Sequence, residues 1–243
     1  MTRARPCFSI EGMSGFLGID KYYIVLVVPT ILLSLWAQFK VKSTFAKYSQ
    51  IRCGKGISGA QAAQILLRAN NISNVSIENV GGSLTDHYDP SSHVLRLSQP
   101  VYGETSISAV GVAAHETGHA IQHARGYGPL GLRSILVPVA NIGSTIGPWI
   151  AMAGLMMSFP LLLNLGIVLF GGAVAFYLIT LPVEFNASSR ALVILAENNV
   201  LSDEELRGVK KVLSAAAMTY VASALTALMS LVRLILLSQR RRN

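Results

Sequence analysis

The chain has 243 residues, of which 51% are apolar and only 13% charged. Soluble domains carry about a quarter charged residues, and disorder needs low hydrophobicity with high charge, so neither class fits. The formal net charge of +8 is not gathered into the patch or stripe of a nucleic-acid-binding protein; it clusters at the ends of apolar runs, where topology signals and anionic lipid account for it. The expected partners are therefore a lipid bilayer and no nucleic acid. Cys7 and Cys53 are too few for a disulfide framework and lack metal-site spacing, and read as plain thiols.

Residues 1–21 form an N-terminal segment without a recognisable targeting motif. The first long apolar run, Tyr22 to Phe39, is bracketed by Lys21 and by Lys40 and Lys42. Eighteen residues at about 1.5 Å rise nearly cover a hydrocarbon core of about 30 Å. No small-residue cleavage site follows, so a retained transmembrane anchor over 22–39 is expected.

Composition turns polar over 40–130, the one stretch able to form a small soluble region. Ser58 reads as the N-cap of a helix, GAQAAQILLRA, ending at Asn70–Asn71. Two strand-like runs follow, Val75–Val80 and Val94–Leu97, with turn signals at Gly81–Gly82 and over 89–92. A second helix opens at Thr105 or Ser106 and stops at Gly126.

Apolar runs return over Ser134–Phe159 and Leu161–Val183, split by a turn at 158–160. Together they predict a transmembrane hairpin over 131–183, whose Asn141, Ser144, Thr145, Asn164 and glycines favour close helix contact. A polar segment, 184–211, precedes a last apolar run over 212–238 that contains Arg233. With four spans, thirteen Lys and Arg side chains fall on the side of the soluble region and six on the other. The positive-inside tendency places the soluble region in the cytoplasm, although the terminal cluster Arg240–Arg241–Arg242 runs against that placement.

The second soluble helix holds His115-Glu116-Thr117-Gly118-His119, an HExxH pattern. Positions four apart on a helix lie about 40° apart and about 6 Å along the axis, so both imidazoles project to one face and can grip one ion. Imidazole suits zinc, and a catalytic zinc leaves a position for water. Glu116, next to the first ligand, is placed to take that water's proton. Chance alone produces the pattern in on the order of one chain in a hundred of this length. The alternative is a helix whose histidines merely occupy a polar face; ionisable groups amid apolar neighbours make that costly without a shared ion.

A third ligand is needed. His123 lies about 12 Å along the helix from His115 and cannot share its ion, so it reads as a rim group. His87 and His93 are possible ligands from the strand region. Glu184 is a further candidate, at the water-facing end of the third apolar run, where a decorative helix-end charge is an equal alternative. Arg190, His87 and Tyr88 are candidate oxyanion stabilisers; the strand at 94–97 could bind peptide by β-augmentation, with a hairpin packed only on its own domain as an equal alternative.

At these residues the sequence resembles the neutral zinc metallopeptidase family of bacterial membrane proteins, the YugP-like group. The resemblance rests on AQFKVKSTF (37–45), LTDHYDP (84–90), VLRLS (94–98), AVGVAAHE (109–116) and LPVEF (181–185). The layout is also similar to that of the wider HExxH membrane metalloproteases, including the CAAX prenyl proteases. This implies Zn2+ as cofactor, His115 and His119 as ligands, Glu116 as base, and Glu184 as third ligand. The wider group usually has an aspartate four residues after that glutamate; Ser188 stands there instead, so its hydroxyl or another acid such as Asp86 must orient a ligand imidazole.

The expected fold is a mainly α membrane protein with about four transmembrane helices. A small α+β, zincin-like cytoplasmic domain carries the HExxH helix, and the helix of 184–211 carries the third ligand. The expected activity is a zinc metalloendopeptidase of the bacterial plasma membrane, acting on membrane or membrane-proximal proteins. Two other readings stand beside it: an intramembrane-cleaving protease and a non-catalytic zinc-binding adaptor. Residues 106–125 are too polar for a lipid-facing span, which counts against the first; the intact Glu116, which a scaffold does not need, counts against the second.

Overall fold

The computed structural model describes residues 20–240. Cys7, the N-terminal basic residues 3 and 5, and Arg241–Arg242 lie outside them. The described chain is mainly helical, with one small sheet. Helix α1 (Val28–Ser49) follows a π-helical turn at Tyr23–Val27. The soluble region then contributes α2 (Gly59–Ala69), β1 (Ser76–Val80), β2 (His87–Asp89), β3 (Val94–Ser98), the single turn α3 (Gln99–Tyr102) and α4 (Ile107–Ala124). Three long helices complete the fold: α5 (Gly128–Met156), α6 (Pro160–Glu197) and α7 (Asp203–Arg240).

Four helices are long and apolar enough to cross a membrane: Tyr23–Ser49, Gly128–Met156, Pro160–Glu197 and Asp203–Arg240. Their outward positions stay apolar, as at Ile135, Trp149 and Val168, each more than 70% exposed. A water-soluble fold does not leave such a surface uncovered. The chain is a membrane protein.

The helices run past the boundaries that hydropathy predicts. Helix α1 continues ten residues beyond Phe39, because Tyr48 is buried against Gly208 and Ile107 in the soluble core. The third apolar run and the polar stretch after it form one helix, continuous through Pro182 to Glu197. Segment 184–211 is thus shared between the end of α6 and the start of α7. The ligand candidate Glu184 sits in mid-helix, with a rigid backbone on both sides.

Local signals explain where the elements begin. Ser58 caps α2 in a reciprocal pair with Gln61. Ser106 caps α4, whose chain leaves through Gly126 at φ 61°. Ser202 and Glu205 form the same kind of reciprocal pair at the start of α7, and Glu205 also accepts from the Gly54 N–H at 2.6 Å. Arg233, set in the last apolar run, pairs with Asp20 at 2.6 Å and lies over the Tyr23 ring.

The sheet has the order β1-β3-β2, with β3 parallel to β1 and antiparallel to β2. Of the two readings of the strand at 94–97, this removes β-augmentation and keeps the one packed within its own domain. Val94–Ser98 is the central strand, its backbone paired on both sides and its side chains largely buried. Its neighbour β2, too short and polar to be legible as a strand, takes the edge. The HExxH helix α4 is wrapped by α2, α6, α7 and the sheet, with most of its length buried. The α5–α6 hairpin closes through small residues, where a Cβ on Gly147 would lie 2.9 Å from the Phe170 nitrogen.

Candidate metal centre

Helices α4 and α6 cross where Gly118 faces Ala187: a Cβ on Gly118 would stand 2.7 Å from the Ala187 carbonyl oxygen. Only glycine allows this approach, and it brings Glu184, one turn earlier on α6, over the two histidines. Glu184 Oε2 lies 3.2 Å from His115 Nε2 and 3.5 Å from His119 Nε2. Three ligand atoms, one from each residue, all fall within 4.8 Å of one another. Gly118→Val is expected to cost about 1–3 kcal/mol by overpacking and to loosen metal binding with it, as read by thermal unfolding with and without zinc.

The donor set suits a cation. Two imidazole nitrogens and a carboxylate oxygen match the His₂Glu set of catalytic zinc sites. Glu184 is 2% exposed, and a buried carboxylate requires charged or polar partners. Burial disfavours charge on His119, but the nearby Glu184 and Glu116 carboxylates outweigh it and raise its pKa. The pocket thus favours positive charge where a metal would bind.

Outer contacts hold each ligand. Gln122 is fully buried and its Nε2 donates to the Val183 carbonyl at 2.8 Å and to Asn186 Oδ1 at 3.0 Å. With its amide nitrogen so engaged, Gln122 Oε1 accepts from His119 Nδ1 at 2.9 Å, leaving Nε2 free to ligate. Ser188 Oγ lies 3.1 Å from His115 Nδ1 and fixes that ring in the same way. Arg133 Nη1 lies 3.2 Å from Glu184 Oε1, so the ligand carboxylate keeps Oε2 for the ion. Gln122→Leu is expected to weaken zinc binding about 10–100-fold, measured by competition with a chromophoric chelator.

Glu116 points into the same space without joining the ligand group. Its Oε2 accepts the Tyr88 backbone N–H at 3.1 Å. That N–H projects from the outer edge of β2, so the strand both orients Glu116 and borders the cavity. The cavity, of about 260 Å³, is lined by Glu116, His119, Glu184, Arg133, Tyr220 and His87, among others. A neighbouring depression shares Pro90, Leu130 and Ser134 with it, extending a cleft between β2 and the first turns of α5.

The other sequence candidates are dispersed. Asp86 lines the cavity, but its carboxylate accepts from the Ser98 N–H at 2.7 Å and from the Ser98 hydroxyl, and touches neither ligand histidine. His87 donates to the Thr85 carbonyl at the cavity rim. His93 stacks on His123 at 5.2 Å, away from the ligand group, and His123 Nδ1 meets the Tyr88 hydroxyl at 2.9 Å. Burial, then the adjacent Asp89 carboxylate, push the Tyr88 phenol up, so it stays protonated. Arg190 donates to Asn186 at 2.7 Å and lies over the Tyr127 ring; it braces the Gln122 network.

Sequence reasoning missed Gln122, Arg133 and Tyr220. Gln122 carried a usable signal, since three residues after His119 is the same helix face. Arg133 and Tyr220 arrive from α5 and α7, and only the tertiary fold shows their role.

The chain is 50% identical, over 215 residues, to "Putative membrane protease YugP" of Bacillus subtilis (strain 168), covering 88% of this chain and 96% of that protein. No solved structure matches the chain. Residues 23–239 match the family described as "Putative neutral zinc metallopeptidase", a span that takes in the four long helices but for Arg240, and every residue of the His115–His119–Glu184 cluster. The chain belongs to this family.

Proposed function

We propose that the protein is a zinc-dependent endopeptidase of the bacterial plasma membrane, with its catalytic region in the cytoplasm, that hydrolyses membrane or membrane-proximal proteins. The observation that carries this reading is the meeting of His115, His119 and Glu184 beside Glu116, in a cleft bordered by a strand edge. A zinc ion held by those three side chains would polarise a water molecule and the scissile carbonyl.

The chain's own groups supply the rest. Glu116, oriented by the Tyr88 N–H, takes the water's proton and passes it to the leaving amine. Arg133 stays on Glu184 and offsets part of its charge. The Tyr220 side chain lines the cavity with its hydroxyl beside the Glu184 carboxylate, and would donate to the carbonyl oxygen as it gains charge. An extended peptide would lie in the cleft beside β2, whose outward Tyr88 N–H stays on Glu116. Leu130 and Val137 at the base of the cleft belong to a membrane-length helix, which supports substrates presented near the bilayer surface.

The test is cleavage of an unfolded soluble protein such as casein by the detergent-purified protein, with and without a chelator. Chelator-sensitive cleavage supports a surface protease. Stoichiometric zinc with no cleavage of casein or of any membrane protein in reconstituted vesicles would leave a scaffold. Tyr220→Phe is expected to lower turnover at saturating zinc by about 10²–10³-fold, seen in steady-state kinetics beside a metal titration.

A further inference from the structure

We infer that a groove between α1 and α7 binds the headgroup of an anionic phospholipid. The groove has a volume of about 650 Å³, and Trp36, Lys40 and Lys47 of α1 and Lys210, Lys211 and Met218 of α7 line it. The two helices are antiparallel and locked below the groove by the Ser34–Thr226 hydroxyl contact at 3.2 Å. Above it, Tyr48 packs against Gly208. Its walls are therefore built by the fold.

Its polarity is graded along the bundle axis. Lys40 ends the apolar run of α1 and Lys211 immediately precedes that of α7; with Ser34 opposite Thr226 and Tyr48 against Gly208, Lys211 stands about two turns nearer the soluble end than Lys40, and the basic side chains line the groove along its length. At the end of the groove nearer the Ser34–Thr226 contact the lining is Trp36 and Met218. Trp36 is half-exposed, as suits an interfacial aromatic or a side chain lying along an acyl chain.

Charge selects the occupant. Lys40, Arg207, Lys210 and Lys211 are exposed, and none is in an ion pair among the described residues. Of the acidic residues nearest to them in sequence, Glu205 has its carboxylate oxygens engaged by Ser202 and Gly54, and Glu204 lines an adjoining depression with Lys47, Arg207 and Lys211 but is in no ion pair among the described residues. Such a cluster of like charges around one concavity needs an anion, and the apolar floor beneath it fits the acyl chains of the same molecule. A lipid with one phosphate and an uncharged headgroup alcohol, such as phosphatidylglycerol, satisfies both halves.

The test uses the full-length protein in nanodiscs. The chain has two tryptophans, so Trp149→Phe leaves Trp36 as the sole tryptophan reporter. Quenching by brominated phosphatidylglycerol is compared with quenching by brominated phosphatidylcholine at equal mole fraction. The expected result is a preference of about fivefold or more for phosphatidylglycerol, the scale one basic residue supplies at an anionic surface. It is lost in K40Q/K210Q/K211Q and retained in K40R/K210R/K211R. Equal quenching by the two lipids, or a preference that survives the glutamine variant, overturns the proposal. So does displacement of the lipid by millimolar inorganic phosphate, which marks a soluble-anion site instead.

Discussion

Replacing Glu116 by glutamine is expected to lower peptide hydrolysis by about 10²–10⁴-fold, the range for loss of a positioned proton acceptor, while zinc stays at one ion per chain. The geometry separates the two properties. Glu116 lies outside the His115–His119–Glu184 ligand group, and a glutamine oxygen can still accept the Tyr88 N–H that Glu116 Oε2 now accepts at 3.1 Å. The substituted side chain keeps its place and loses its basicity. Cleavage rate and metal content measured on one preparation check this. Undiminished cleavage removes Glu116 from the mechanism, and loss of zinc makes it a ligand.

The second large effect is on the metal itself. Glu184→Ala is expected to reduce zinc affinity beyond the 10–100-fold or so that follows loss of an outer contact. One ligand disappears, and Arg133, now 3.2 Å from Glu184 Oε1, is left facing the two histidines. That cation repels the incoming metal, so the double variant carrying both Glu184→Ala and Arg133→Ala should recover part of the affinity. Competition with a chromophoric chelator measures the parent protein and both variants. An affinity unchanged in Glu184→Ala would transfer the third-ligand role to another side chain.

The parts of this architecture differ in how openly the sequence displays them. The helix of His115 and His119 is legible because its cap at Ser106, its stop at Gly126 and its four-residue spacing are local facts. The apolar runs reveal four spans for the same reason. Strand β2 is hidden because His87, Tyr88 and Asp89 are three polar or amphipathic residues whose pairing with β3 is fixed by a partner further along the chain. Missing it made Val94–Ser98 look like an edge.

Glu184 shows the same limit at the site. Its position alone suits a snorkelling helix-end charge, and resemblance to a family was needed to favour it as a ligand. What places it is the Gly118–Ala187 contact between two helices almost seventy residues apart. Arg133 entered the sequence reading only as one positive charge among many, because nothing local shows that the first turns of α5 lean over α6. Residues whose role depends on a crossing of helices become visible only with the crossing.

The central claim is one zinc ion held by two imidazoles and a carboxylate from separate helices. Zinc-edge X-ray absorption of the detergent-purified protein tests it most directly. The expected result is one zinc per chain, surrounded by nitrogen and oxygen at about 2.0–2.2 Å, with the imidazole scattering of two histidines. A first shell containing sulfur, or protein that takes up no zinc at neutral pH, contradicts it.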